Sequence, residues 1–148
     1  MLRKIKVKPD FKFVNPLPLT KTANGIPAKS LYEQEGEMGQ AELRMLTQIA
    51  ALDNVVWWHR NPGQQGFGLN AFIGHYPDFI IGLRSGIIVL VETKGESLAN
   101  DDSKRKIKPG SKWAEMAGSQ FHYFMVFENN AMEGAKQIGK LVGIVSHL

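Results

Sequence analysis

The sequence predicts an α/β fold, a mixed β-sheet flanked by helices. Compact apolar segments of strand length follow one another through the middle of the chain, and segments with helical spacing occur before, between and after them. The resulting order of helix, three strands, helix, strand and helix is that of an α/β layer architecture. At 148 residues and 43% hydrophobic, the chain can form one domain with its own core.

The first predicted helix and strand lie in the first half of the chain. Residues 1–30 are rich in proline and are expected to form an extended arm, ahead of a single domain at residues 31–148. Apolar residues then recur at the spacing of a buried helical face, which predicts a helix at about residues 38–52. Residues 55–58 follow as a compact strand, and residues 67–73 as a further extended piece.

An apolar hairpin is predicted next. Its strands are residues 77–83 and 87–94, and the connection Arg84-Ser85-Gly86 is short enough for an antiparallel turn. Acidic and basic side chains are found at the ends of these two strands.

The last predicted elements follow a polar, basic stretch of the chain. Ser111 is expected to be the N-cap of a second helix. Residues 121–127 are mostly aromatic and apolar, as in a central strand, and residues 131–141 have the spacing of a final helix. This completes the α-β-β-β-α-β core with one more helix.

Composition excludes several classes of protein. The absence of cysteine rules out a disulfide framework and any thiolate-ligated metal site. No apolar stretch approaches the ~20 residues that a membrane-spanning helix needs. The N-terminus also lacks the apolar segment of a signal peptide. We therefore expect a soluble, cytoplasmic protein with no membrane partner.

Positive charge is concentrated in two parts of a chain whose net charge is +4. Residues 1–30 contain seven Lys and Arg but a single acid, Asp10. A second basic run includes Lys104, Lys108 and Lys112. Both runs have the composition of a surface that binds a phosphate backbone. A solvated arm and a solvated loop have the same composition, so both interpretations stay open.

The polar residues of the hairpin form the strongest functional signal. An ionised carboxylate is unfavourable in an apolar hairpin unless it is paired or binds a metal. The positions of Asp78 and Glu92 therefore predict a cation between them. Because side chains alternate along a strand, Glu92 and Lys94 share one face while Thr93 points to the other. The sequence therefore predicts acidic and basic groups at one site.

The order of elements and the residues Pro77-Asp78, Glu92 and Lys94 resemble the PD-(D/E)XK nuclease superfamily, whose core runs α-β-β-β-α-β. The local match comprises Trp57-Trp58-His59-Arg60-Asn61, Tyr76-Pro77-Asp78-Phe79-Ile80 and Glu92-Thr93-Lys94-Gly95. These segments look like the endonuclease domain at the C-terminus of type III restriction enzyme Res subunits. The resemblance covers about residues 37–127 and implies a restriction-endonuclease-like mixed sheet.

The resemblance also implies a metal site. Asp78, Glu92 and the backbone carbonyl of Thr93 would hold Mg²⁺, with Mn²⁺ as a substitute, and hard oxygen ligands of this kind suit Mg²⁺. Lys94 would hold or polarise the attacking water and stabilise charge on the phosphate. An ordinary ion pair with Glu92 is the alternative for Lys94.

A third acid is expected from the first helix, because many members of the superfamily have a glutamate there that touches the metal shell. Glu42 is the best candidate, since it lies one helical turn before Leu46 and hence beside the buried face. Glu35 and Glu37 are rivals, and a solvated helix acid is the alternative.

The function implied by the resemblance is metal-dependent hydrolysis of DNA phosphodiester bonds, by in-line attack of a metal-activated water. Lys104, Lys108, Lys112 and Arg60 are the expected DNA contacts. Expected partners are DNA, a second copy of the chain, and a helicase or other subunit, since no helicase motor is present in this sequence. The alternatives are a catalytically silent nucleic-acid-binding module of nuclease ancestry, or a nuclease of the same fold acting on RNA or on branched or damaged DNA.

Overall fold

The computed structural model describes residues 26–32, 34–61, 68, 76–94, 110–127 and 136–148. Within these residues the elements are α1 (Gln40–Ala50), β1 (Val55–Arg60), β2 (Phe79–Leu83), β3 (Ile88–Lys94), α2 (helical over residues 110–117), β4 (Phe121–Phe127), β5 (Lys136–Gln137) and α3 (Ile138–Ser146). The predicted α/β class and the predicted order of the first six elements are confirmed.

The described strands form one mixed sheet in the order β1-β2-β3-β4-β5. The pairs β1–β2 and β2–β3 are antiparallel, whereas β3–β4 and β4–β5 are parallel. In the parallel pair at the centre, Leu90 lies opposite Tyr123 and Glu92 lies opposite Met125. β3 is the central strand of the described sheet, and its C-terminal end lies next to the start of β2 because these two strands are antiparallel.

The predicted hairpin is confirmed, and the backbone conformation of its turn explains why a glycine occurs at position 86. The Leu83 N–H donates to the carbonyl of Ile87 at 2.9 Å, which closes the connection between β2 and β3. Gly86 has a φ of +88°, in the left-handed region that favours glycine. The turn fixes the register in which Phe79 faces Val91, and this register places the acids at the open end of the hairpin.

Two apolar clusters cover the two faces of the sheet. One cluster packs α1 and α3 against the sheet and is centred on Leu46, Val91 and Leu141. The other packs α2 against the opposite face and includes Leu90 and Trp113. Alternate residues of β3 thus belong to different clusters, as the strand period requires.

Two of the sequence predictions for the C-terminal half are wrong in their boundaries. The second helix is already helical at Gly110, so Ser111 lies inside the helix and is not its N-cap. The last helix runs over Ile138–Ser146, not over 131–141, because Lys136 and Gln137 pair with the end of β4 as β5. Tertiary pairing has overridden the local helical pattern there.

The N-terminal boundary of the domain can be followed from residue 26. Ile26 packs against the α1/α3 cluster. Ser30 forms a parallel bridge with Trp58, and the Leu31 N–H donates to the Trp58 carbonyl at 2.9 Å. This segment therefore continues the sheet beyond β1. The remainder of the proposed arm, and most of the extended piece predicted at residues 67–73, lie outside the described residues.

Among the helices that the structure describes, each is too short or too polar to cross a bilayer.

Candidate functional site

The start of β2 and the end of β3 bring the two motif segments together. The Asp78 N–H donates to the Val91 carbonyl at 2.9 Å, and the Thr93 N–H donates to Asp78 Oδ2 at 2.8 Å. The carboxylate of Asp78, the residue just before β2, thus extends the hydrogen-bond ladder between β2 and β3 beyond the start of β2. Asp78 is placed directly beside the Glu92-Thr93-Lys94 segment, as the sequence predicts.

Asn61 fixes the approach of the chain to Asp78. Its backbone N–H donates to the Asp78 carbonyl at 2.8 Å, and its side-chain amide donates to the Pro77 carbonyl at 2.8 Å. Asn61 is buried at the end of β1, so these bonds are shielded from water. The residue at the end of the Trp57–Asn61 segment therefore positions the Pro77-Asp78 pair.

Glu42 reaches the site from α1. The Thr93 hydroxyl lies 3.0 Å from Asp78 Oδ2 and 3.2 Å from Glu42 Oε1, so it can donate to either carboxylate. The second oxygen of Glu42 accepts the N–H of Gly39 at 2.7 Å, which caps the start of the helix. Glu42 is therefore held between the helix N-terminus and Thr93.

The rival acids of this segment have other roles. Glu35 is fully buried and accepts hydrogen bonds from the Ser30 hydroxyl at 2.8 Å and from the Arg60 N–H at 3.2 Å. It also pairs with Nδ1 of the buried His59 at 3.1 Å. Glu37 is exposed, and its carbonyl accepts from Arg60 Nε at 3.3 Å. The Glu42 carboxylate, by contrast, lies within reach of the Thr93 hydroxyl and pairs with the Arg60 guanidinium.

Glu92 and Lys94 lie on the face of the sheet that α2 covers. Glu92 is 3% exposed. Its Oε1 lies 3.0 Å from Lys94 Nζ, and its Oε2 accepts a hydrogen bond from the Tyr123 hydroxyl at 2.9 Å. Thr93 points to the opposite face, towards Glu42. The alternation predicted for these three residues is confirmed, and Asp78 lies between the two faces.

Arg60 pairs with two of the acids. Its guanidinium lies 3.3 Å from Asp78 Oδ1 and 3.4 Å from Glu42 Oε1, and it packs over the Phe79 ring at 5.2 Å. The sequence predicted a DNA contact for Arg60. In this structure its charge is directed into the acidic cluster, which is defined here as Asp78, Glu92 and Glu42.

Burial and the neighbouring acids make ionisation of Asp78 unfavourable. Partial burial raises the pKa of Asp78 above its ordinary value, and the charges of Glu42 and Glu92 raise it further. The Arg60 guanidinium and the Thr93 N–H lower the pKa, but the net direction is upward. Asp78 therefore binds its proton more tightly than a solvent-exposed aspartate does.

The donor set suits a hard divalent cation. Among the described residues, no three acidic or histidine side chains already form a cluster that could hold a metal ion. Mg²⁺ does not need such a cage, because it is usually held by one or two carboxylates together with waters and substrate phosphates. Asp78 and Glu92 supply two carboxylates, one from each side of the hairpin, which is the number that such a site needs.

The predicted DNA contacts outside the cluster are only partly described. Lys112 is exposed on α2, and its Nζ lies 3.5 Å from Glu115 one helical turn away. Such an exposed pair contributes little to stability and leaves Lys112 accessible. Lys104 and Lys108 lie outside the described residues.

Two residues of the site were not identified from the sequence. Tyr123 donates to Glu92, and Gly110 lies against the Tyr123 ring. One signal was available: Tyr123 carries a hydroxyl group in a mostly apolar strand, and a buried tyrosine hydroxyl usually has a partner. The partner could not be named, because the register between β3 and β4 is not readable from the sequence.

Comparison with known proteins gives no match: no family model fits the chain, and no curated protein or solved structure matches it.

Proposed function

We propose that this protein is a metal-dependent nuclease that hydrolyses DNA phosphodiester bonds. The observation that carries the proposal is the meeting of Asp78 with Glu92 and Lys94 at one end of the hairpin, secured by the 2.8 Å bond from the Thr93 N–H to Asp78. Two acids and a lysine in this arrangement provide the groups needed for metal-assisted attack on a phosphate. The confirmed order of elements is also that of a restriction-endonuclease-like PD-(D/E)XK core.

Asp78, Glu92 and the backbone carbonyl of Thr93 would hold Mg²⁺ or Mn²⁺, with Glu42 beside them. When bound, the ion supplies a water of lowered pKa and neutralises negative charge on the phosphate. Lys94 would orient the attacking water, since its ammonium group already lies against Glu92 at 3.0 Å. Arg60 would balance the charge of Asp78 and Glu42, since its two terminal nitrogens each pair with one of these carboxylates.

The proposed partners follow from the same chemistry. DNA is the proposed substrate, with the exposed Lys112 on α2 as a phosphate contact. A homodimer would place one such site on each strand of a duplex. A helicase or another subunit would supply target selection, for which the described residues contain no base-reading element.

The proposal is tested by plasmid cleavage. Supercoiled DNA is incubated with Mg²⁺ or Mn²⁺ and the wild-type protein, Asp78→Asn or Lys94→Met. Removal of a charged group that acts on the transition state should lower the rate roughly 100-fold. Asp53→Asn and Lys140→Met are matched controls, since both residues are exposed outside the acidic cluster, and these variants should cut at the wild-type rate. Cutting that persists in both site variants would exclude the proposed site.

A specific observation favours the silent nucleic-acid-binding module as the second candidate. The carboxylates of the acidic cluster all have cationic neighbours within the chain, because Arg60 pairs with Asp78 and Glu42, and Lys94 pairs with Glu92. Charged residues that are paired in this way can be retained in a protein that does not catalyse a reaction. DNA binding without cleavage by the wild-type protein, in the presence of either metal, would select this alternative.

A further inference from the structure

We propose that Tyr123 is a positioning residue that holds the Glu92 carboxylate in the orientation in which it binds a divalent cation. The inference rests on the proposed function, because it assigns a partner to one of the proposed ligands. A ligating carboxylate is commonly oriented by a hydrogen bond from a neighbouring group, and such groups affect metal affinity.

Two different donors fix the two oxygens of Glu92. The Tyr123 hydroxyl is 2.9 Å from Oε2, and Lys94 Nζ is 3.0 Å from Oε1. Glu92 is 3% exposed, so water competes little for either bond. Lys94 has a long, flexible side chain, whereas Tyr123 is a rigid ring. The orientation of the carboxylate therefore depends chiefly on Tyr123.

The packing of Tyr123 explains why its hydroxyl has a fixed position. Its backbone lies opposite Leu90 in the parallel β3–β4 pair, two residues before Glu92 along β3. Its ring lies against Gly110, where a Cβ would come within 2.4 Å of a ring carbon. A larger residue at position 110 would displace the ring. Gly110 therefore provides the space in which the ring points its hydroxyl at Glu92.

The chemistry of Tyr123 agrees with a permanent donor. The phenolic O–H donates to Glu92 Oε2, and the remaining lone pairs of the carboxylate stay available to a cation. Tyr123→Phe would remove this donor and keep the ring.

The test measures Mn²⁺ binding by electron paramagnetic resonance in the absence of DNA, so that its result is independent of cleavage. Tyr123→Phe should weaken the affinity for Mn²⁺ about tenfold. Gly110→Ala should weaken it similarly although the hydroxyl is still present, because the ring has to move. Gly143→Ala is the matched control, since a Cβ there meets nothing within 4 Å, and it should bind as wild type does.

A double variant separates positioning from a general loss of structure. If Tyr123 acts through Glu92, Tyr123→Phe should have no further effect on Mn²⁺ affinity in a Glu92→Gln background. Equal binding by wild type and Tyr123→Phe would overturn the inference and leave the proposed function intact. An additive effect in the double variant would also overturn it. Absence of Mn²⁺ binding by the wild-type protein would overturn both.

Discussion

Burial makes the negative charge of Asp78 costly in the folded protein. Its folded pKa is raised by burial and by Glu42 and Glu92, so the folded protein binds this proton more tightly than the unfolded chain does. The carboxyl therefore favours folding below its unfolded pKa of about 3.9. As the pH rises from there through the raised folded value, this contribution is lost and becomes a penalty.

This penalty predicts a pH dependence that belongs to Asp78. In metal-free buffer, the free energy of unfolding of the wild type should fall relative to that of Asp78→Asn as the pH rises from 4 to 7. Urea unfolding of both proteins at several pH values measures the difference. Repeating the series with excess Mg²⁺ should reduce the trend, because the cation compensates the charge. A difference that is constant with pH would show that Asp78 carries no such penalty.

At the scale of single residues, the sequence was sufficient to predict which charged side chains lie together in the hairpin. Asp78, Glu92 and Lys94 were predicted because charged groups in an apolar hairpin need partners. The roles of Asn61 and Tyr123 depend on which backbone atoms and which strands lie opposite them. Those contacts come from strand pairing between distant parts of the chain, and single-sequence patterns do not determine them.

The elements differ in how well the sequence predicted them. The strand β4 (Phe121–Phe127) was predicted with the correct bounds, because its aromatic and apolar run ends at polar residues. The start of the last helix was not predicted correctly, since Lys136 and Gln137 adopt extended backbone to pair with β4. A two-residue strand has too little periodicity to be recognised, and only the neighbouring strand accounts for it.

The packing of β1 on β2 gives a prediction about Gly82. The Trp57 indole lies over Gly82, where a Cβ would come within 2.2 Å of the ring. Gly82→Ala should therefore force the indole to move and destabilise the protein by about 1–3 kcal/mol. Thermal or urea unfolding of the purified variant measures the change.

The control for Gly82→Ala is the same substitution at a glycine where an added Cβ has no close neighbour. Gly143 lies inside α3, and a Cβ there would meet nothing within 4 Å. Gly143→Ala should stabilise the protein by roughly 0.5–1 kcal/mol, because alanine is the better helix former. The two substitutions add the same methyl group and should have opposite signs. If Gly82→Ala leaves the free energy of unfolding unchanged or raises it, Gly82 has no special packing role.

For the whole molecule, the candidate functional site combines side chains from four elements. Glu42 comes from α1, Arg60 from β1, Glu92 from β3 and Tyr123 from β4. Their meeting point lies at the end of the β2–β3 hairpin, between the two layers of helices. A ligand that binds this site contacts both layers and should therefore stabilise the fold as a unit.

This coupling predicts that a divalent cation stabilises the whole domain. At a free Mg²⁺ or Mn²⁺ concentration of ten times the dissociation constant, linkage gives about 1.4 kcal/mol, or a rise in Tm of roughly 3–6 °C for a chain of this size. Differential scanning fluorimetry with and without metal measures the shift, and a chelator should reverse it. Asp78→Asn should lose most of the shift, whereas Glu115→Gln, on the exposed side of α2, should keep it. If DNA raises the Tm and neither metal does, the protein binds nucleic acid without a metal site, which is the behaviour of the silent module.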